Sequence, residues 1–124
     1  MSNSQSSVAK FNWADGKKAV VIVSYDVPTA TLPAFFLQLE KFAVSQKFEF
    51  SRSRVHPEKE QYSLDFTRPD IAISGDNMWA PNYFDMAFYV DLKMGGSKRV
   101  VEDILFRMNA SIRDLSGVKL TRKK

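Results

Sequence analysis

Cysteine is absent from this sequence of 124 residues, and histidine occurs once, as His56. Without cysteine the chain can form neither a disulfide framework nor a thiolate zinc site. The single histidine lies in the turn-like stretch HPEKE, with no partner that would position it for general acid–base catalysis. We therefore predict a protein that is not an enzyme and has no catalytic residues, no metal ligands and no cofactor.

Long apolar runs are also missing. The stretch AVVIV at positions 19–23 is among the longest apolar runs of the chain, whereas a membrane-spanning helix needs about 20 apolar residues. The first ten residues, MSNSQSSVAK, are polar and rich in serine, unlike the apolar segment of a secretory signal. These features predict a cytoplasmic protein that does not enter a membrane.

The net charge of +4 is concentrated at one end of the chain. Four of the 18 basic residues lie in the last six positions, so the first 118 residues hold 14 basic and 14 acidic side chains. We predict a disordered segment at 1–9, a single neutral domain at 10–121 and a basic tail at 122–124. A short basic tail adds nonspecific attraction to phosphate, but a neutral domain makes nucleic acid an unlikely partner.

Two segments have the periodicity of amphipathic helices. The first is TATLPAFFLQLEKFAVSQK, with an N-cap expected at Thr29 or Thr31, and the second follows Ser97, an N-cap candidate, and ends before Gly117. Their apolar stripes recur at spacings of three and four residues. The predicted core residues are Leu32, Phe35, Phe36, Leu39, Phe42 and Ala43 in the first helix, and Val101, Ile104, Leu105, Met108, Ile112 and Leu115 in the second.

Strands are predicted where apolar residues alternate or form short β-branched runs. These stretches are AVVIVSY (19–25), KFEFSRSRV (47–55), QYSLDFT (61–67), DIAIS (70–74), FDMAFYVDL (84–92) and a final VKLT (118–121). In KFEFSRSRV two phenylalanines share a face with two arginines, so that face should pass from core to solvent. The sequence SGDN at 74–77 indicates a turn.

The predicted order of elements is β-α-β-β-(β)-β-α-(β). Its first β-α-β unit suggests a parallel crossover, and hairpins follow before the second helix returns to the same face. This order resembles the ferredoxin-like arrangement in outline, with an insertion between the middle strands. We therefore predict an α+β two-layer sandwich with a mostly antiparallel sheet and both helices on one face. Many functions use such a fold, so the fold alone predicts none.

The stretch DNMWAPNYFD at 76–85 places a tryptophan among turn-forming residues. Trp and Tyr offer large contact areas with few rotatable bonds, and they dominate binding hot spots. One interpretation makes Trp79 a lid that folds back on the core, and we favour it slightly. The other makes the segment a partner-binding surface. The candidate contact residues are Asp76, Asn77, Trp79, Asn82 and Tyr83.

A second candidate site lies in KMGGSKR at 93–99, where two glycines precede a helix start. Helix N-termini attract anions, so Ser97, Lys98 and Arg99 form a candidate anion-binding group. The stretch lacks the spacing of a phosphate-binding P-loop.

Three functions remain open. The favoured one is a non-catalytic protein-binding domain, for which the small immunity or antitoxin proteins of bacteria are an analogy in size and composition; a homo-oligomer is also open.

The second is a small-molecule or anion-binding domain, and this alternative could be enzymatic. Its pocket would lie between the sheet and the 76–85 loop, walled by Trp79 and Tyr83, with Lys98 and Arg99 holding an anion. The third is weak nucleic-acid binding through Arg52, Arg54 and the basic tail.

Overall fold

The computed structural model describes residues 11–13, 17–56 and 58–123. The predicted disordered segment 1–9 and Lys124 lie outside the described residues. Both predicted helices form. The elements are β1 (Val21–Asp26), α1 (Leu32–Ser45), β2 (Glu49–Arg54), β3 (Tyr62–Thr67), β4 (Ile71–Ala80), β5 (Tyr83–Val90), α2 (Lys98–Ile112) and β6 (Lys119–Lys123).

The six strands form one open sheet in the order β2-β3-β4-β5-β1-β6, and every neighbouring pair is antiparallel. Both helices pack on one face and contact each other, which confirms the predicted α+β two-layer sandwich. If β3 and β4 are treated as an insertion, the remaining order is ferredoxin-like in outline. Strands β1 and β2 run in the same direction, but β3, β4 and β5 lie between them, so the predicted crossover joins distant strands.

The core lies between the helices and one face of the sheet. Register pairs in β1 and β5 show why the alternating residues meet there, since Tyr25 is opposite Phe84 and Val23 is opposite Met86. All four side chains are at most 1% exposed. The predicted apolar stripes of both helices are confirmed as core, except that Leu115 is only partly buried against it.

Strand β4 is twice as long as predicted, because SGDN is not a turn. The strand runs from Ile71 to Ala80, and Gly75 lies inside the sheet opposite Met86. A Cβ at position 75 would lie 2.2 Å from Met86 Sδ. The glycine therefore makes room for a core side chain, a requirement that arises from the neighbouring strand and that the local sequence does not reveal.

The edge strands behave differently from each other. In β2 the inward face passes from core to solvent as predicted, with Phe50 half-buried and Arg52 and Arg54 exposed. At the other edge β6 continues to Lys123, so two of the three predicted tail residues belong to a strand. The basic end of the chain is therefore part of the sheet as far as Lys123.

The helix ends confirm one predicted cap and correct two. The Ser97 hydroxyl accepts a hydrogen bond from Val100 N at 3.2 Å, as an N-cap residue does. Thr31 precedes α1 but makes no such bond, because its hydroxyl donates to Ser116 O at 2.8 Å. Helix α2 ends at Ile112, so Gly117 lies in the connection to β6 and is not the residue after the helix. Leu92, predicted to point inward, is exposed beyond the end of β5.

Candidate functional site

The outer face of the sheet, turned away from the helices, carries small and acidic side chains. One row across the strands consists of Ser24, Asp85, Asp76, Ser63 and Ser53, each opposite the next in register. Ser24 at one end of this row is fully buried, whereas Asp85, Asp76 and Ser63 are partly exposed and Ser53 is exposed. The acidic pair in its middle, Asp76 and Asp85, is the most polar part of the face.

One end of the outer face is covered by the segment that precedes β1. Trp13 packs edge-to-face on Tyr89, with ring centroids 5.0 Å apart, and Phe11 packs on Trp13 at 4.8 Å. Phe11 is only 5% exposed. The covered end of the sheet is the one near the start of α2, so the open end is the one near the β4–β5 hairpin.

The β4–β5 hairpin has a two-residue turn and an irregular first strand. Asp76 pairs with Asp85 and Ala80 pairs with Tyr83, so three residues of β4 lie opposite one residue of β5. Two extra residues therefore bulge from β4. A bulge of this kind re-aims the side chains beside it, and here it places Asn77 inside and Trp79 outside.

Asn77 holds the bulge in place. Its Oδ1 accepts from Tyr62 N at 2.6 Å, and its Nδ2 donates to Glu60 O at 2.6 Å and to Pro81 O at 2.8 Å. The side chain is fully buried. The structure therefore corrects the prediction for Asn77, which fastens the hairpin and has no surface left for contact with a partner.

Trp79 is 85% exposed, and Met78 beside it is 42% exposed. The favoured interpretation of Trp79 as a lid on the core is wrong. Asn77 and Phe84 occupy the inward positions at this end of the hairpin, and both are fully buried. No inward position remains for an indole ring.

A cleft of about 540 Å³ opens beside Trp79. Three of the predicted contact residues line it, namely Trp79, Asn82 and Tyr83. Its other lining residues are Asp26, Ala80 and Asp85. We call this feature the acidic–aromatic cleft.

Sequence reasoning missed Asp26 as a lining residue of the acidic–aromatic cleft. Asp26 ends β1 and lies opposite Tyr83 in register, while Val27 N donates to Asn82 O at 2.8 Å. The pairing of β1 with β5 therefore brings this carboxylate to the hairpin. The sequence contains no local signal for that pairing, although the β-branched run of β1 predicts a strand.

The electrostatics of the cleft are dominated by carboxylates. Asp85 accepts a hydrogen bond from the Ser24 hydroxyl, and Asp76 accepts one from Met78 N at 3.0 Å. Within the described part of the chain, no ion pair joins Asp26, Asp76 or Asp85 to a basic side chain. Further along the outer face, burial raises the pKa of Asp65. This end of the molecule therefore favours a cationic group over an anion.

The candidate anion-binding residues lie elsewhere. Ser97, Lys98 and Arg99 follow the far end of β5, and eight strand residues separate that end from the hairpin by roughly 24 Å. None of the three lines the acidic–aromatic cleft. The predicted single pocket that combines Trp79 and Tyr83 with Lys98 and Arg99 is therefore wrong. Anion binding at the helix start stays a prediction.

The basic residues proposed for nucleic acid are also separated. Arg52 and Arg54 lie on β2 and the basic tail lies on β6, at opposite edges of a six-stranded sheet. The Arg52 guanidinium lies 4.6 Å from the centre of the Phe36 ring, and Arg54 pairs with Glu60 at 3.0 Å.

The described residues, 11–13, 17–56 and 58–123, contain neither a group of metal-binding side chains nor a membrane-spanning helix. Within these ranges no three His, Asp or Glu side chains are grouped closely enough to hold a metal ion. Neither α1 nor α2, the long helices of the described chain, has the length and apolar character needed to cross a membrane.

No protein-family model matches the sequence, and no curated protein matches it significantly. The geometry of the hairpin and its cleft is therefore the basis for inferring a function.

Proposed function

We propose that the chain is a non-catalytic protein-binding domain and that its contact surface is the end of the β4–β5 hairpin. The observation that supports this most is Trp79, a tryptophan with 85% of its surface exposed beside a cleft. Burying an indole ring against a partner removes a large apolar area from water, and tryptophan is among the residues most enriched in binding hot spots.

The hairpin is also held in a defined shape before any partner arrives. The three hydrogen bonds of Asn77 tie the bulge to β3 and to the turn. A surface that is ordered in the free protein loses less conformational entropy on binding. An exposed tryptophan on a fastened bulge is therefore better suited to specific contact than one on a mobile loop.

A protein is favoured over the other two classes of ligand. The volume of the acidic–aromatic cleft is within the range of small-molecule pockets, but exposed apolar surface continues beyond it over Met78 and Trp79. A small ligand would leave that surface in water, whereas a protein would cover it. Nucleic acid is disfavoured because the carboxylates of Asp26, Asp76 and Asp85 repel phosphate.

In this proposal the domain acts in the cytoplasm as a neutralising partner of another protein. The immunity and antitoxin proteins of bacteria are an analogy for this role. Small size and the absence of cysteine support the comparison. Such a partner works by covering a surface of its target, which requires affinity and shape but no chemistry of its own.

The test is affinity capture from the native cell extract with three forms of the protein. Trp79→Ala removes the exposed ring at the hairpin, and Phe106→Ala is the matched control, because Phe106 is 70% exposed on α2 in the opposite layer. We expect wild type and Phe106→Ala to capture the same protein and Trp79→Ala to lose it. Capture of nothing, or equal capture by all three forms, would refute the proposal.

Self-association has its own outcome in the same design. If the hairpin binds a second copy of the chain, sedimentation of purified protein shows a dimer that Trp79→Ala dissociates and Phe106→Ala does not. A dimer that persists in Trp79→Ala would place the contact surface elsewhere and would contradict the proposed role of the hairpin.

A further inference from the structure

The geometry points to an arginine side chain of the partner as the occupant of the acidic–aromatic cleft. This inference deepens the proposed function and rests on it. It names the chemistry that the hairpin recognises, which the exposure of Trp79 alone does not. Three features of the cleft support it: its aromatic walls, its uncompensated carboxylates and their arrangement.

The aromatic walls favour a cation with a flat shape. Trp79 and Tyr83 both line the cleft, and aromatic faces attract cations through the negative charge of the ring faces, tryptophan most strongly. A guanidinium group also stacks on such faces, because it is planar and weakly hydrated. An ammonium group has the same charge but lacks this stacking surface.

The carboxylates supply the opposite charge. Asp85 and Asp26 line the cleft, and Asp76 lies directly opposite Asp85 on the neighbouring strand. Like charges in directly opposed positions of a sheet are destabilising. No salt bridge within the described ranges neutralises this pair. Asp76 does not itself line the cleft, but a cation bound at Asp85 in the cleft would reduce the repulsion within this pair.

The position of Asp85 is suited to a guanidinium. The Ser24 hydroxyl, which is fully buried, donates to Oδ1 of Asp85 and orients the carboxylate. An oriented carboxylate can accept two parallel N–H bonds from arginine, which lysine cannot supply. The structure therefore favours arginine over lysine on the grounds of both charge and shape.

Strand β6 carries two basic residues in register with this part of β1, Lys119 and Arg122, and Arg122 lies opposite Ser24. Lys119 lies opposite Asp26 on β6, but it does not line the cleft and it forms no ion pair with Asp26. It belongs to the edge strand, with β1 between it and Asp85. Among the described side chains, neither Asp76 nor Asp85 has a basic partner.

The test uses a defined probe and needs no knowledge of the partner. A blocked Gly-Arg-Gly tripeptide is titrated into ¹⁵N-labelled protein, and the indole N–H resonances of the two tryptophans are followed. Trp13 is the internal control, because it packs on Tyr89 at the covered end of the sheet. We expect the Trp79 resonance to shift and the Trp13 resonance to stay in place.

Matched peptides and variants separate charge from shape. The citrulline peptide has nearly the shape of arginine without its charge, and we expect it to leave Trp79 unshifted. The lysine peptide should bind more weakly than the arginine peptide. Asp85→Asn and Asp76→Asn should each weaken arginine binding about fivefold, and added salt should weaken binding to the unsubstituted protein. Equal shifts with arginine and citrulline, tighter binding of lysine, or unchanged binding in both variants would overturn the inference.

A second measurement does not depend on the peptide. Asn at position 76 retains an oxygen that can accept from Met78 N, but removes one of the two opposed charges. We expect Asp76→Asn to raise the melting temperature of the free protein while it weakens arginine binding. A lowered melting temperature would contradict the view that the acidic pair is uncompensated.

The two proposals can fail separately. If Trp79→Ala loses a captured protein but the arginine peptide shows no binding, the hairpin is a protein-binding surface with another specificity. If the peptide binds but no protein is captured, the cleft recognises arginine and the proposed function is refuted.

Discussion

Strand β5 connects an open hairpin at Tyr83 to a helix start beyond Val90 where backbone segments pack closely, although Leu92 and Met94 are exposed there. At the hairpin, Trp79 and Met78 are exposed and the acidic pair has no basic partner among the described residues. At the other end Arg68 pairs with both oxygens of Asp70, at 2.7 and 3.2 Å, and its Nη1 donates to Gln46 O at 2.6 Å. Asp70 therefore has a basic partner, whereas Asp76 and Asp85 have none among the described residues.

The packing of the backbone differs in the same way. At the helix start Asp91 N donates to Asp70 O at 2.9 Å, and Gly96 N donates to Asp91 O at 3.0 Å. These contacts leave no room for a side chain at Gly96. At the hairpin Asn77 is buried and stabilises the fold, whereas the neighbouring Met78 and Trp79 are exposed and pack little against it. Side chains that contribute little to folding are free to contribute to binding, which is why we place the function at the hairpin.

The largest expected effect is at the closed end, in Gly96→Ala. A Cβ there would lie 2.2 Å from Asp70 O and 2.9 Å from Asp91 N, both backbone atoms. We expect a loss of about 3 kcal/mol in the free energy of unfolding, or failure to fold, measured by urea denaturation. Gly95→Asn is the control, since nothing lies within 4 Å of a Cβ there, and asparagine tolerates positive φ better than most residues. Equal losses in the two variants would show that the close approach at Gly96 is unimportant.

Asn77→Ala should have the next largest effect, because three backbone groups would lose their partner at once. We expect a loss of about 2–3 kcal/mol in urea denaturation. Asn82→Ala, at an exposed turn position, should change stability by less than about 0.5 kcal/mol. If Asn77→Ala is as stable as Asn82→Ala, the bulge is not held by its hydrogen bonds.

Tyr25→Phe tests the inner side of the hairpin end, where the Tyr25 hydroxyl donates to Asn109 Oδ1 of α2. We expect a loss of about 1 kcal/mol at neutral pH. Burial raises the pKa of Tyr25 above its usual value near 10. Folding therefore favours the protonated hydroxyl, and the wild type loses stability as the pH rises above about 10.

Because phenylalanine does not ionise, the stability gap between wild type and Tyr25→Phe should narrow at alkaline pH. Denaturation curves of both proteins from neutral pH upward measure this directly. A gap that stays constant above pH ~10 would contradict the buried position of the hydroxyl.

The smallest effect on stability is expected for Trp79→Ala, although tryptophan is the largest side chain. Its exposure predicts a change within about 0.5 kcal/mol. Trp13→Ala is the comparison, since that ring packs on Phe11 and Tyr89 and should contribute about 1 kcal/mol. A large loss in Trp79→Ala would mean that the ring supports the fold, and the contrast between the two ends would disappear.

Much of the architecture could be predicted because periodicity is a local property. The stripe from Leu32 to Ala43 and the alternation from Phe84 to Phe88 each need only one segment of chain, and both are core. The bulge could not be predicted in this way. Gly75 and Asn77 are residue types typical of turns. Here, however, Gly75 is required because Met86 occupies the space of a side chain, and Asn77 hydrogen-bonds to backbone groups of Glu60 and Tyr62.

The sequence by itself determined the two amphipathic helices and most of the strands, and it predicted a candidate contact surface next to β5. Only the tertiary structure decided that Trp79 faces solvent, that Asn77 is buried, and that Asp26 joins Tyr83 and Asp85 in one cleft. The physical reason is the register between strands. Asp26 and Tyr83 are distant in the chain, and they meet because the hydrogen bonds of β1 and β5 pair them.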